Sequence, residues 1–138
     1  MKTLPQTCEQ CLEEFSTALE ELVIYASRGE KNGYTETHSR DLIIHFEVAH
    51  ELALKVIAKF FEKHKKGPFS GSRDATVEAF HAELIDDGKS WLDMIIDRIQ
   101  YNPVYSIDTQ ANFLENIRKR YVRLLERFER TMVKKLEE

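Results

Sequence analysis

Five glycines and three prolines are all that this 138-residue sequence contains. Those residues punctuate chains, so a shortage of them means few turns and long elements, which points to helices. Long apolar runs are missing as well, and none approaches the ~20 residues of a membrane span. The opening segment Met1-Lys2-Thr3-Leu4-Pro5 lacks the apolar stretch of a secretory signal. The expected location is therefore the cytoplasm. Cysteine is scarce, with Cys8 and Cys11 forming a single C-x-x-C. Without a second pair or a nearby histidine it is not a four-ligand zinc set, and without a βαβ pattern it is not a thioredoxin-type motif. Two ordinary thiols near a helix start are expected.

What is present is a globular balance, 42% hydrophobic and 32% charged, and the length fits a single helical domain over residues 1–138 with one core. The net charge of −4 argues against a general affinity for nucleic acid. The charge is uneven: the first thirty residues are acidic (Glu9, Glu13, Glu14, Glu20, Glu21) and the last thirty basic. Such asymmetry can serve packing or the choice of partner.

Hydrophobic spacing predicts five helices. The first runs from about Gln6 to Ser27, with Leu12, Phe15, Leu19 and Leu22 on one face and Gly29 placed to stop it. A polar loop follows, from Gly29 to Thr37. The second helix runs from about Thr37 to His64, where Leu42, Phe46, Ala49, Ala53, Val56 and Phe60 step by four and three. Ile43, Leu54, Ile57 and Phe61 add a second stripe, so this helix is expected at the centre. The third runs from about Arg73 to Ile85, burying Val77, Phe80 and Leu84. Ser90 and Asp93 read as a capping box for the fourth, whose apolar positions are Trp91, Met94, Ile95 and Ile99, and Asn102-Pro103 ends it. The last starts near Asp108, a candidate N-cap, and buries Phe113, Ile117, Tyr121, Leu124, Phe128 and Met132. Short connections predict an all-α, antiparallel five-helix bundle.

Three constellations could carry chemistry. The apolar second helix bears a polar line, Glu47, His50, Glu51 and Lys55. The Glu47–His50 spacing is similar to that of di-iron bundles, but those need a second copy on another helix, and none is found. No metal is expected, nor any cofactor. The line reads as a structural network, a solvated edge in which Glu51 pairs with Lys55, or the wall of a cleft. On the last helix, Arg120, Arg123, Arg127, Arg130 and Lys134 share a face. They could hold RNA phosphates or an acidic partner, or form a solvated face partly paired with Glu126. The third constellation is the end of the fourth helix, Arg98-Ile99-Gln100-Tyr101-Asn102-Pro103-Val104-Tyr105, which from physics alone is a structural turn.

With these segments placed, the chain resembles the nucleotidyltransferase substrate-binding family of the HEPN superfamily. The resemblance spans about Phe15 to Leu136. Its most specific piece is Arg40-Asp41-Leu42-Ile43-Ile44-His45-Phe46-Glu47, continuing through Glu51-Leu52-Ala53-Leu54-Lys55. Glu78-Ala79-Phe80, Leu84-Ile85-Asp86-Asp87-Gly88 and Trp91 follow in the family's order. Glu47, Glu51, Lys55 and Trp91, with Arg98, form the candidate binding cleft.

The resemblance implies a dimeric helical bundle that pairs with a minimal nucleotidyltransferase, in some cases as toxin and antitoxin. In such pairs the bundle protein is a metal-independent ribonuclease with an R-x4-H-x-Y motif, silenced when AMP is added to the tyrosine. Carried over, Arg98 takes the arginine position and Tyr105 the tyrosine, but Pro103 stands where the histidine belongs. Moving a proton at neutral pH is work for a histidine, and proline has no proton to move. The remaining histidines His45, His50 and His81 do not follow Arg98 at that spacing. A non-catalytic, homodimeric partner of a nucleotidyltransferase is expected, with Tyr105 a candidate AMP acceptor and RNA or a nucleotide a further candidate ligand. The alternative is a ribonuclease toxin with a displaced acid or base.

Overall fold

Thr7 opens α1 (Cys8–Asn32): its side chain accepts from the Gln10 N–H at 3.1 Å, and the Gln10 side chain takes the Thr7 N–H at 2.9 Å. The computed structural model describes residues 6–138, with 30–32 described by backbone alone. The helix buries Cys8, Cys11, Phe15, Leu19 and Leu22. Burial pushes the Cys8 thiol up to about 11, so it is inert near neutral pH. The helix passes through Gly29 and ends at Gly33, which has a φ of 84°. Gly29 is not a stop signal. A Cβ there would overlap the Tyr34 ring and lie 2.7 Å from His38 Nε2, so glycine permits the next segment to fold back onto α1.

Thr35 caps α2 (Glu36–Lys63), accepting from the His38 N–H at 3.1 Å. Its Leu42, Ile43, Phe46, Ala49, Ala53, Val56 and Ile57 are fully buried, as expected of a central helix. Lys63 pairs with Glu9 at 2.9 Å, and Tyr25 donates to Asp41 at 3.1 Å, tying opposite ends of an antiparallel α1–α2 pair. α2 closes with Lys65 in the left-handed region (φ 60°) and the Lys66 N–H bonded to the Phe61 carbonyl at 2.8 Å.

α3 (Ser72–His81) is shorter than its pattern suggests. Glu83 at φ 61° and the Leu84 N–H to Ala79 carbonyl bond close it at 2.9 Å. It turns Ala75, Thr76 and Ala79 inward, and their small size permits close approach. Phe80, expected in the core, is 45% exposed and lies across Gly88. α4 (Gly88–Gln100) is capped three residues earlier than its sequence suggests, by the Asp87 carboxylate, which accepts the Ser90 N–H at 3.0 Å. Ile99, also expected inside, is 77% exposed.

A 3-10 turn (Ile107–Gln110), not an Asp108 cap, leads into one continuous rod: α5 (Ala111–Asn116), a π-helical turn (Ile117–Tyr121) and α6 (Val122–Glu137). All six residues assigned to its inner face are buried. Phe113, Ile117 and Tyr121 step by four twice, which would drift about 80° around an ideal α-helix; the wide turn absorbs that drift. Five helical rods and no strand occur among the described residues. An aromatic chain joins the layers: Phe15 to Phe128 at 5.5 Å, Phe128 to Trp91 at 5.2 Å, and Phe46 to Tyr121 at 5.2 Å.

Candidate functional site

Arg98 stands in the last turn of α4, where the helix dipole favours a cation. It reaches across to α2. Its Nη1 donates to Glu51 Oε2 at 2.9 Å and lies 3.0 Å from His50 Nδ1, while its Nε is 3.9 Å from Glu47 Oε2. Three of the four residues in the polar line of the second helix, Glu47, His50 and Glu51, thus converge on one arginine. The expected Glu51–Lys55 pair is replaced by Glu51–Arg98, and the Lys55 amine donates to the Gln6 amide instead.

His50 is 1% exposed and stacked on Phe46. A guanidinium can only donate, so Nδ1 accepts and the ring proton sits on Nε2, which is buried with no partner among the described residues. Burial, reinforced by the Arg98 charge, lowers the His50 pKa to about 3. The imidazole is neutral at any physiological pH. Burial also raises the Glu47 pKa, and Arg98 opposes that rise. The arginine lines an open cleft of about 450 Å³ with Glu47, Glu51, Ile95 and Ile99. Trp91 does not face this cleft. It is 1% exposed, packed behind His50 and against Phe128.

The turn after α4 is held from α2 by Arg40, which the sequence marks only as the start of a matched segment. Its Nη1 and Nη2 donate to the carbonyls of Pro103 and Tyr105, both at 3.1 Å, and Glu36 fixes the guanidinium at 3.1 Å. The Val104 N–H bonds Asn102 Oδ1 at 2.9 Å and the Tyr105 N–H bonds the Asn102 carbonyl at 3.1 Å. The Tyr105 side chain stands out from this anchored turn, 59% exposed.

The basic stripe is divided. Arg120 turns inward to Ser90 at 2.8 Å and Asp93 at 3.1 Å, and Arg127 pairs with Asp86 at 2.9 Å rather than with Glu126. Beside Arg120, the Tyr121 hydroxyl donates to Asp97 at 2.5 Å, and burial together with this bond raises its pKa. Arg123, Arg130 and Lys134 stay exposed with no carboxylate partner among the described residues. No group of three metal-ligating side chains, and no helix long and apolar enough to cross a membrane, occurs among those residues.

A family model described as nucleotidyltransferase substrate binding protein like matches residues 10–134. The chain belongs to that family. The match runs from the first turn of α1 to the last turns of α6, so Arg98, its α2 partners and the Arg40-anchored turn all lie within it. A search of curated proteins finds no match.

Proposed function

We propose that this chain is a non-catalytic binding subunit for a minimal nucleotidyltransferase, acting in the cytoplasm as one helical domain of HEPN type and as a homodimer. Membership of the substrate-binding family supports the partnership. The observation that carries the non-catalytic reading is the state of Arg98: its charge is engaged by Glu51 and Glu47, and Pro103 follows where the motif needs a histidine.

The ribonuclease alternative draws its support from the His50–Arg98 contact, which puts an imidazole beside the motif arginine. Yet with a pKa of about 3 the ring neither gives nor takes a proton efficiently near pH 7, and its accepting nitrogen is already used. Losing a working acid or base removes ~10²–10⁴ in rate. Labelled RNA incubated with the chain and a chelator should stay intact. Cleavage abolished by Arg98→Ala would overturn this reading in favour of the toxin.

Dimerisation rests on the apolar side chains beside the cleft. Ile44 and Val48 on α2 and Ile96 and Ile99 on α4 are between 48% and 77% exposed, on either side of the Arg98 ion pairs. Pairing through that surface brings two Arg98 regions to one shared cleft. Tyr105 is the proposed AMP acceptor, because its anchored turn holds an exposed phenol out to a partner. Incubation of the pair with labelled ATP should put label on Tyr105, and a Tyr105→Phe chain that labels equally would remove that role.

A further inference from the structure

A cavity of about 790 Å³ opens beside the Arg98 cleft, between the C-terminal half of α2, the 65–71 loop and the start of α3. It shares Glu51, Leu54 and Ser72 with the cleft, so the two form one groove. Its size lies within the ~300–1,000 Å³ of small-molecule sites. Leu54, Ala58, Pro68, Phe69 and Ala75 make an apolar floor. The Phe69 ring is held edge-on to Phe61 at 5.0 Å.

The rim is charged. Lys55, Lys65 and Lys66 line it, together with Glu51 and Glu62. Both carboxylates are engaged by other cations, Glu51 by Arg98 at 2.9 Å and Glu62 by Lys59 at 3.6 Å. None of the three lysines has a carboxylate partner among the described residues, since Lys55 bonds only the neutral Gln6 amide. Three uncompensated cations therefore ring an apolar hollow. Lys65 also occupies a left-handed position, φ 60°, where glycine is the relaxed choice.

We propose that this cavity binds an organic phosphate of nucleotide size, with its flat body on the Leu54–Ala58–Phe69 floor and its phosphates on Lys55, Lys65 and Lys66. An apolar floor alone would suit a neutral ligand; the lysines select an anion, and their number suits more than one phosphate. The proposal deepens the substrate-binding reading given above and rests on it for its biological meaning. Its test needs no partner, so the two can fail separately.

The 138-residue chain is titrated calorimetrically at low salt with ATP, adenosine and inorganic tripolyphosphate. ATP should bind saturably and more tightly than either fragment, and added salt should weaken it. Lys55→Glu with Lys66→Glu should weaken ATP by about tenfold or more. Ala58→Trp, at an exposed position on the cavity floor, should fill that floor and abolish binding while circular dichroism stays unchanged. Absence of saturable ATP binding at millimolar concentration would overturn the proposal. So would ATP binding that survives both sets of substitutions, or a single-stranded RNA that displaces ATP and binds more tightly through the same lysines.

Discussion

Arg98 and His50, 48 positions apart in sequence, meet at 3.0 Å with the guanidinium donating to Nδ1. Burial, with the Arg98 charge adding to it, keeps the imidazole neutral and makes His50 a stability switch rather than a catalytic one. In the unfolded chain His50 takes a proton below its ordinary value of 6.5, whereas in the folded chain it stays neutral down to about 3. Between those values the unfolded state binds more protons, so stability falls as pH falls, by up to about 1.4 kcal/mol per pH unit. Thermal melts at pH 7.5 and 5 should differ by more for the wild type than for His50→Gln. Equal differences would remove His50 as the source.

Phe46 packs on Tyr121 at 5.2 Å and Phe113 at 5.7 Å, with no exposure. Phe46→Ala should cost about 3–5 kcal/mol in chemical denaturation. A loss below 1 kcal/mol, as at an exposed site, would contradict its central position.

The π-helical turn brings Tyr121 to Asp97 at 2.5 Å, while Asn116 also bonds Asp97 at 3.1 Å. Tyr121→Phe keeps the ring packing and removes one bond to a carboxylate, so a loss of about 1.5–3 kcal/mol is expected. An unchanged midpoint would mean that Asp97 is satisfied without the tyrosine.

Arg40 holds the carbonyls of Pro103 and Tyr105. Arg40→Ala should leave the helices intact but speed amide exchange and proteolytic cutting across residues 102–106. Unaltered exchange at Tyr105 would mean the turn is rigid by itself.

Periodicity made the α2 seam and the inner face of the last rod legible, since burial of a stripe leaves its mark at every third or fourth residue. It misread Phe80 and Ile99, which are apolar yet exposed, because hydrophobicity does not reveal which face a neighbour covers. Gly29 misled for a related reason: its role depends on the Tyr34 ring folding back over it. The Asp87 cap was masked by Ser90 three residues on, whose N–H is the donor that Asp87 receives. Within the site, Glu47, His50 and Glu51 stood out as one polar line, but their convergence on Arg98 depends on tertiary packing between α2 and α4. The lysine-rimmed cavity left no motif, because Lys55, Lys65 and Phe69 meet only once α2 ends and the chain turns back.

We propose the exposed remainder of the basic stripe, Arg123, Arg130 and Lys134, as a dock for an acidic partner surface, since Arg120 and Arg127 are already paired within the chain. Reversing both exposed arginines to glutamate should weaken the complex, more so at low salt. An unchanged affinity would move the dock to another surface.

The most direct measurement is light scattering after size exclusion of the chain co-expressed with a minimal nucleotidyltransferase from its own genome. The predicted result is one species at micromolar concentration whose mass includes both proteins in fixed proportion. Two separate peaks at low salt, each with the mass of one protein alone, would contradict the account.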